Sequence, residues 1–352
     1  MAIETETELD DFEGEEILAP AETHQIISES GDIGTRLDKF LAEKLPLLSR
    51  SRIKQLVEKG LVSIGGRLET NVSAKVKAEG LIYDIKVPAP THSETDPEPE
   101  NIPLKILFED AHVLVIDKPA GLSVHPAPGN WTGTLVNAVL YHCGEDLKQI
   151  GAMGRPGIVH RLDKDTSGVM VVCKSALAMT SLGHQFQKRT TDRLYHAFVV
   201  GAPKSPWGKD GYINARLARD SKDRKRMAVI DNDATIGRSA ATNYRTLKTF
   251  GRDKNGKPIA SLIECKLETG RTHQVRVHMK HIGCALIGDL VYGDNNSGRN
   301  LLKTMPEEAR ITRQALHAKT LAFTHPVTSE RLSFESEYPE DMDELYSFVK
   351  SL

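Results

Sequence analysis

The sequence predicts an α+β chain of two unequal units, a small α/β unit over residues 24–88 and a larger mixed-sheet unit over 102–352. Three observations carry that reading. Residues 24–88 hold two amphipathic helix patterns followed by short strand patterns. The stretch Ala89 to Asn101 is rich in Pro and Glu and has no apolar period, the signature of a linker. Beyond it, apolar strand runs dominate, with helix patterns set between them.

Taken in order, residues 1–23 form an acidic tail with too few apolar residues to offset the entropy of ordering, so disorder is expected there. Gly34 or Thr35 can cap a first helix whose Leu37, Phe40, Leu41 and Leu45 fall at helical spacing, and Pro46 interrupts it. Ser49 caps a second helix with Ile53, Leu56 and Val57 on one face, and Gly60 stops it. Its Arg50, Arg52, Lys54 and Lys59 lie mostly off the apolar face. Leu61 to Ile64, the turn Gly65-Gly66 and Leu81 to Val87 read as short strands. In the larger unit, strands are expected at Leu104–Phe108, His112–Ile116, Val169–Val172, Ala197–Val200 and Ser261–Leu267. Helices are expected near Thr134–Tyr141 and Ala176–Lys188.

Composition excludes several classes. With 39% hydrophobic and 27% charged residues, the 352-residue chain is too polar for a membrane protein. No run reaches the ~18 apolar residues of a spanning helix. The acidic start, Met1 to Glu6, lacks the plan of a signal peptide. Cys143, Cys173, Cys265 and Cys284 form no C-x-x-C, so reduced thiols in a cytoplasmic protein are expected. The net charge of −2 hides a segregation: residues 1–22, 89–101 and 330–352 carry −9, −4 and −5, and the rest of the chain carries +16. The folded part thus reads as basic, with acidic tails and linker. A basic body points to a polyanionic partner, most often nucleic acid, with a solvated basic surface as the plainer alternative.

Gly157 to Gly168 (G-I-V-H-R-L-D-K-D-T-S-G) gathers His160, Arg161, Asp163, Lys164 and Asp165 just before a buried-strand pattern. A rigid scaffold can present a reactive side chain from such a loop, although a turn capped by Asp163 or Asp165 would look the same. Ala215 to Arg226 carries six bases against two acids and reads as an exposed basic hairpin or loop. No metal is expected. The segment with His273, His278 and His281 holds no Cys and no nearby paired carboxylate apart from Glu268, and a strand-like alternation would put His273 and His278 on opposite faces.

Two resemblances give these patterns a meaning. Arg36 to Leu41 followed by Ser49 to Arg67 (S-R-S-R-I-K-Q-L-V-E-K-G-L-V-S-I-G-G-R) resembles the S4 RNA-binding module, which implies RNA contact through Arg50, Arg52 and Lys54. H-R-L-D-K-D-T-S-G resembles the signature of the RluA-type pseudouridine synthases, which isomerise uridine in RNA. Val115 to Pro126, Arg193 to Ala197, Leu267 to Met279, Gly288 to Gly293 and Arg313 to Ala318 resemble that family's other blocks in the family's order. The architecture is similar to the RluD-like branch. That implies an enzyme acting on large-subunit ribosomal RNA or a pre-ribosomal particle; an isomerisation without redox change, hydrolysis or phosphoryl transfer requires no cofactor, and a monomer is expected.

The resemblance makes Asp163 the catalytic aspartate, as nucleophile at C1′ or base at C2′, two roles that stay open. Positive charge develops on the sugar as the glycosidic bond breaks, and a carboxylate stabilises it in either role. Arg276 is implied as its cationic partner, with Arg271 left for a phosphate, and Tyr195 as the active-site tyrosine. His160 and Arg161 are implied beside a flipped nucleotide, with Arg161 able to stack in the vacated space. The basic segment adds Arg224 and Arg226 as RNA contacts. A non-catalytic ribosome-assembly factor is the rival from another class, and a glycosidase would need a second acid facing the first across the sugar.

Overall fold

The computed structural model describes residues 20–45, 48, 50–88, 97–126, 131–152, 154–204, 208, 210–221, 223, 226–230, 236–293, 296–307 and 310–352. Contacts divide them into two compact units, one within 20–45 and 50–88 and the other built on 97–352.

In the first unit β1 (Pro20–Ile27), α1 (Leu37–Lys44), α2 (Arg50–Glu58), β2 (Val62–Ile64), β3 (Arg67–Leu68) and β4 (Ile82–Pro88) follow in order. The strands form an antiparallel sheet in the order β1-β4-β2-β3. The helical apolar spacing does what it predicts: Leu37, Phe40 and Leu41 of α1 and Ile53, Leu56 and Val57 of α2 are buried, and Phe40 meets Tyr83 edge-on at 5.0 Å. Gly60, with φ of 68°, ends α2 in the left-handed conformation that glycine adopts freely. Two expectations change, and a third is not reached. The N-cap of α1 is Arg36, not Gly34 or Thr35, and its side chain makes no capping bond. The first strand begins at Pro20, inside the stretch expected as tail, because residues 22–27 pair with β4. Ser49, the expected cap of α2, lies outside the described residues, as do residues 1–19.

The second unit contains β5 (Lys105–Glu109), β6 (Val113–Lys118), α3 (Leu135–Cys143), β7 (Gly151–Ala152), β8 (Arg155–Pro156), β9 (Ser167–Cys173), α4 (Ala176–Lys188), β10 (Asp192–Val200), β11 (Asp210–Arg219) and β12 (Met227–Ile230). These are followed by β13 (Arg238–Arg252), β14 (Pro258–Leu267), α5 (Gln274–His281), α6 (Asn296–Lys303), β15 (Leu316–Thr324), β16 (Arg331–Glu335) and α7 (Glu340–Lys350). Ten strands form one mixed sheet in the order β12-β11-β13-β14-β10-β15-β9-β6-β5, with β16 also on β15. Every pair is antiparallel except β9 with β15.

Both faces of the sheet are covered at β6 and β9, so Val113–Ile116 and Val169–Cys173 are apolar throughout instead of alternating. Leu114, Ile116, Met170 and Val172 pack with α3 (Val136, Val139, Leu140) and α5 (Val275, Met279). Their neighbours Val113, Val115, Val169 and Val171 pack with Ala178 and Leu182 of α4. The acidic residues 330–352 are no tail. They supply β16 and α7, and Met342, Leu345 and Val349 of α7 are buried against Phe198, Phe250 and Leu262. The expected linker also ends early: the Glu100 N–H donates to the Asn137 carbonyl at 3.0 Å, and Asn137 Nδ2 donates to the Glu98 carbonyl at 2.7 Å, tying this stretch to α3. Among the described residues no helix is long and apolar enough to cross a membrane.

The strand-like alternation expected for residues 273–278 is a helix instead. Val275, Val277 and Met279 alternate in sequence, but residues 274–279 of α5 are all buried, and only Lys280 and His281 at its end reach solvent. A helix without a wet face loses its 3.6-residue polarity, and a period of two is then no guide.

Burial has a consequence for pH. It pushes His125, His196, His278 and His317 down to about 4 and His160 to about 3, from an ordinary 6.5. The unfolded chain therefore binds more protons than the fold between roughly pH 3 and 6.5. Stability from these groups is present above pH 6.5 and is lost as pH falls through that window. Melting temperatures measured from pH 8 to pH 4 should begin to fall below about pH 6.5, above the carboxylate range; a midpoint constant down to pH 5 would contradict this.

Candidate active site

The loop from Gly157 to Gly168 is clamped along its whole length. At its start the Cys173 N–H donates to the Gly157 carbonyl at 2.8 Å. In its middle the Lys164 carbonyl accepts from the Gly121 N–H at 3.1 Å and from Lys118 Nζ at 3.0 Å. Lys118 is fully buried and also donates to the Pro119 and Leu122 carbonyls; burial lowers its pKa to about 7 against the pull of Asp165 and Asp163. Arg313 Nη1 donates to the Asp165 carbonyl at 2.9 Å, and Arg313 is itself paired with Asp341 of α7. At the loop's end Ser167 and Gly168 pair in parallel with His317 and Ala318 of β15. Gly168 has φ of 115°, and a Cβ there would overlap the Ala318 carbonyl, so glycine is required.

A turn closed by the Thr166 N–H on the Asp163 carbonyl, at 3.1 Å, presents Asp163 to a cavity of 380 Å³. His160, Arg161, Tyr195 and Arg271 also line it. Asp165 does not line it. Arg276 Nη1 reaches Asp163 Oδ2 at 3.1 Å, while its Nε and Nη2 grip Asp289 at 2.7 and 3.0 Å. Asp289 has a fully buried side chain and accepts the Val291 and Tyr292 N–H groups, both at 2.9 Å. Burial works against the charge on Arg276, but Asp289 first and Asp163 second more than offset it and raise its pKa. Burial likewise opposes the charge on Asp289, and Arg276 overcomes it to lower that pKa. The result is an arginine with two carboxylates, one sealed in the core and one facing the cavity.

The other anticipated residues divide. Tyr195 on β10 is buried, which pushes its phenol up to about 12, so it stays protonated. His160 stacks on Phe186 at 4.7 Å, and its Nε2 accepts the Val171 N–H at 3.1 Å, so one edge of the ring is already engaged. Arg161 is exposed at the cavity. Arg271 is anchored through its Nε to the Ser239 carbonyl at 3.1 Å and does not pair with Asp163 in place of Arg276. Arg226 lies over the Tyr292 ring at 5.5 Å, beside the hairpin of β11 and β12; Arg224 lies outside the described residues. In the first unit Arg50 Nη2 bonds Asp38 at 2.8 Å and Lys54 pairs with Glu58 at 3.5 Å, with both cations still more than half exposed; Arg52 is half-buried on the same helix.

Residue reasoning passed over several members of the site. Asp289 and Tyr292 lay inside G-D-L-V-Y-G, where nothing local distinguishes a buried carboxylate from a turn residue. Gln274 organises the segment before α5: its Oε1 accepts from Thr269 Oγ1 at 2.7 Å and the Arg271 N–H at 3.0 Å, and its Nε2 donates to the Ala241 carbonyl at 3.0 Å. Arg193 lines the cavity with Nε unpaired and its guanidinium 5.4 Å from the Phe186 ring centre. Among the described residues the donors that converge as a metal's ligands would are those of Glu109, His142 and Cys143, outside the cavity lining, and Glu109 is already bound by Lys174 and His142.

Comparisons agree with the two resemblances. A family model described as RNA pseudouridylate synthase matches residues 112–281, and an S4 domain model matches residues 35–82. A curated protein of Zymomonas mobilis, ribosomal large subunit pseudouridine synthase D, is 45% identical over 329 residues, covering 93% of this chain and 98% of that one. The protein of that name from Nitrosomonas europaea is 43% identical over 319 residues, covering 91% and 86%. The solved structure of human RNA pseudouridylate synthase domain containing 4 shares the fold at 24% identity and a TM-score of 0.51, covering 70% of this chain and 93% of that one.

Proposed function

This chain belongs to the RNA pseudouridine synthases, and from that membership we propose that it isomerises uridines of large-subunit ribosomal RNA, with Asp163 as the carboxylate acting at the ribose. The target follows the names of the Zymomonas and Nitrosomonas relatives. One observation supports the role of Asp163 most: it is the carboxylate of its loop that lines the cavity, and a buried Arg276–Asp289 pair fixes its position.

The reaction breaks the N1–C1′ bond, turns the uracil and joins it through C5. It involves no redox change, hydrolysis or phosphoryl transfer, so the proposal includes no cofactor. A stacked uridine must leave its helix to reach Asp163, at a cost of a few kcal/mol. Tyr195 offers that base a ring and a protonated hydroxyl. Arg161, exposed at the cavity, is available to the vacated stack or to phosphate. Arg50, Arg52 and Lys54 of the S4 unit and Arg226 of the hairpin would add phosphate contacts, which position the RNA without reading its sequence. Four cysteines without a disulfide fit a cytoplasmic location.

The test is to map pseudouridines in ribosomal RNA from cells with and without the gene. Loss of specific large-subunit positions, restored by the wild-type protein and not by Asp163→Asn, is the expected result. Unchanged ribosomal maps would assign the enzyme to another RNA, and restoration by Asp163→Asn would remove the catalytic role of Asp163.

A further inference from the structure

His273 has an uncommon backbone. With φ of 57° and ψ of 21° it is a non-glycine residue in the left-handed region, at the N-cap of α5. The described non-glycine residues with positive φ are Arg189, His273 and Ser329, and of these only His273 lines the cavity. Strain of this kind persists where the surroundings over-determine it.

The constraint here is Tyr292, which is 2% exposed. Its hydroxyl accepts the Met227 N–H at 2.7 Å and lies 2.9 Å from His273 Nδ1, with the two rings edge-on at 5.6 Å. The Arg276 guanidinium sits 5.1 Å from the centre of the same phenol ring. A phenol has one proton to give, and among the described residues Nδ1 is the acceptor found for it. On that ground the bond is assigned with Tyr292 donating to Nδ1, which puts the imidazole proton on Nε2. Burial and the nearby Arg276 and Arg161 lower the pKa of His273 against the pull of Asp163 and Asp289, which keeps the ring neutral. His273 lines the cavity, and with Nδ1 committed to Tyr292, Nε2 is its remaining ring nitrogen.

We propose that His273 is a substrate-contacting residue whose Nε2–H is a fixed hydrogen-bond donor to an oxygen of the nucleotide held beside Asp163, and that Tyr292 is the positioning residue that sets its tautomer. The inference rests on the reading of this cavity as the uridine's site. It also gives the β11–β12 hairpin a chemical link to the reaction centre, because the chain of donors starts at the N–H of Met227, the first residue of β12.

Two substitutions separate contact from backbone. Glutamine places an N–H donor near the position of Nε2, whereas asparagine reaches only as far as Nδ1. Asparagine, however, accepts the left-handed conformation more readily. A purely structural His273 thus predicts that His273→Asn outperforms His273→Gln, and the contact predicts the reverse. Turnover of large-subunit ribosomal RNA purified from a strain lacking the gene would be followed by carbodiimide mapping of pseudouridine, with RNA affinity and melting temperature measured in parallel. The expected losses are about 10- to 100-fold for His273→Asn and within about fivefold for His273→Gln, at unchanged RNA affinity. Tyr292→Phe should lower turnover about three- to tenfold in the wild-type background and little further in His273→Gln, which has no tautomer to set.

Equal activity of the two His273 variants, the reverse order, or an equal Tyr292→Phe effect in both backgrounds would overturn the proposal. An inactive wild-type enzyme on this RNA would instead overturn the functional reading on which it rests.

Discussion

Asp163→Asn should lower turnover by more than roughly 1,000-fold while RNA affinity stays within about threefold of wild type. Asparagine keeps the shape of the side chain and can still accept from Arg276 Nη1, now 3.1 Å from Asp163 Oδ2. It lacks the negative charge that stabilises a ribose developing positive charge, and it is a poor nucleophile and a poor base. Single-turnover rates and equilibrium binding on the same RNA separate the two quantities. Retention of more than about one part in a hundred of the wild-type rate is incompatible with a carboxylate that carries the chemistry. The catalytic group would then have to be sought at Asp165, whose backbone carbonyl is tied to Arg313 and whose side chain is absent from the cavity lining.

Arg276→Ala should destabilise the second unit by about 3–5 kcal/mol, because it leaves a buried charge uncompensated. The exposed part of the problem is Asp163, at 17% side-chain exposure; the severe part is Asp289, whose side chain has none. A melting temperature lower by about 6–20 °C follows for a unit of this size. Activity should fall as well, since Asp163 loses the group that orients it. Arg271→Ala is the control: its Nε bonds one backbone carbonyl and no carboxylate, so about 1 kcal/mol or less is expected. If the two variants melt alike, Arg276 is not the keystone of the pair of carboxylates.

Some of this arrangement was legible in the residues and some was not, for identifiable reasons. The helices of the first unit announce themselves because each has one wet face, so Phe40, Leu41, Ile53 and Leu56 fall on a single stripe. The strand Val169–Val172 is legible as an unbroken apolar run because helices cover both faces of the sheet there. Burial also made α5 unreadable, since polar and apolar residues alike are buried over Gln274–Met279 and no wet face marks a stripe. The long strand β13 escaped notice because its burial is irregular and its register shifts between Thr246 and Lys248. Residues 330–352 misled through charge: seven acids suggested a solvated tail, whereas α7 keeps its acids outside and turns Met342, Leu345 and Val349 inward.

The site follows the same division. Asp163 and Arg276 stand 113 residues apart, and no local pattern joins them; only the resemblance to a family did so, and the 3.1 Å bond agrees with it. The third member, Asp289, has no signature of its own in the sequence. Its role comes from two backbone N–H groups and a guanidinium that reach it only after folding.

The clamped loop from Gly157 to Gly168 also bears on selectivity. When two bodies are pressed together, the deformation goes to the more compliant one. Here the protein side is pinned by Lys118, Arg313 and the parallel seam with β15, so it has little give. In the proposed reaction the bending and unstacking therefore fall on the RNA, and their free energy depends on the RNA's own local stiffness. Uridines in loops, bulges or weakly stacked junctions reach Asp163 at a smaller mechanical cost than those in regular helix. A rigid protein loop in this way makes the flexibility of the RNA a criterion of choice, alongside the contacts made to its phosphates.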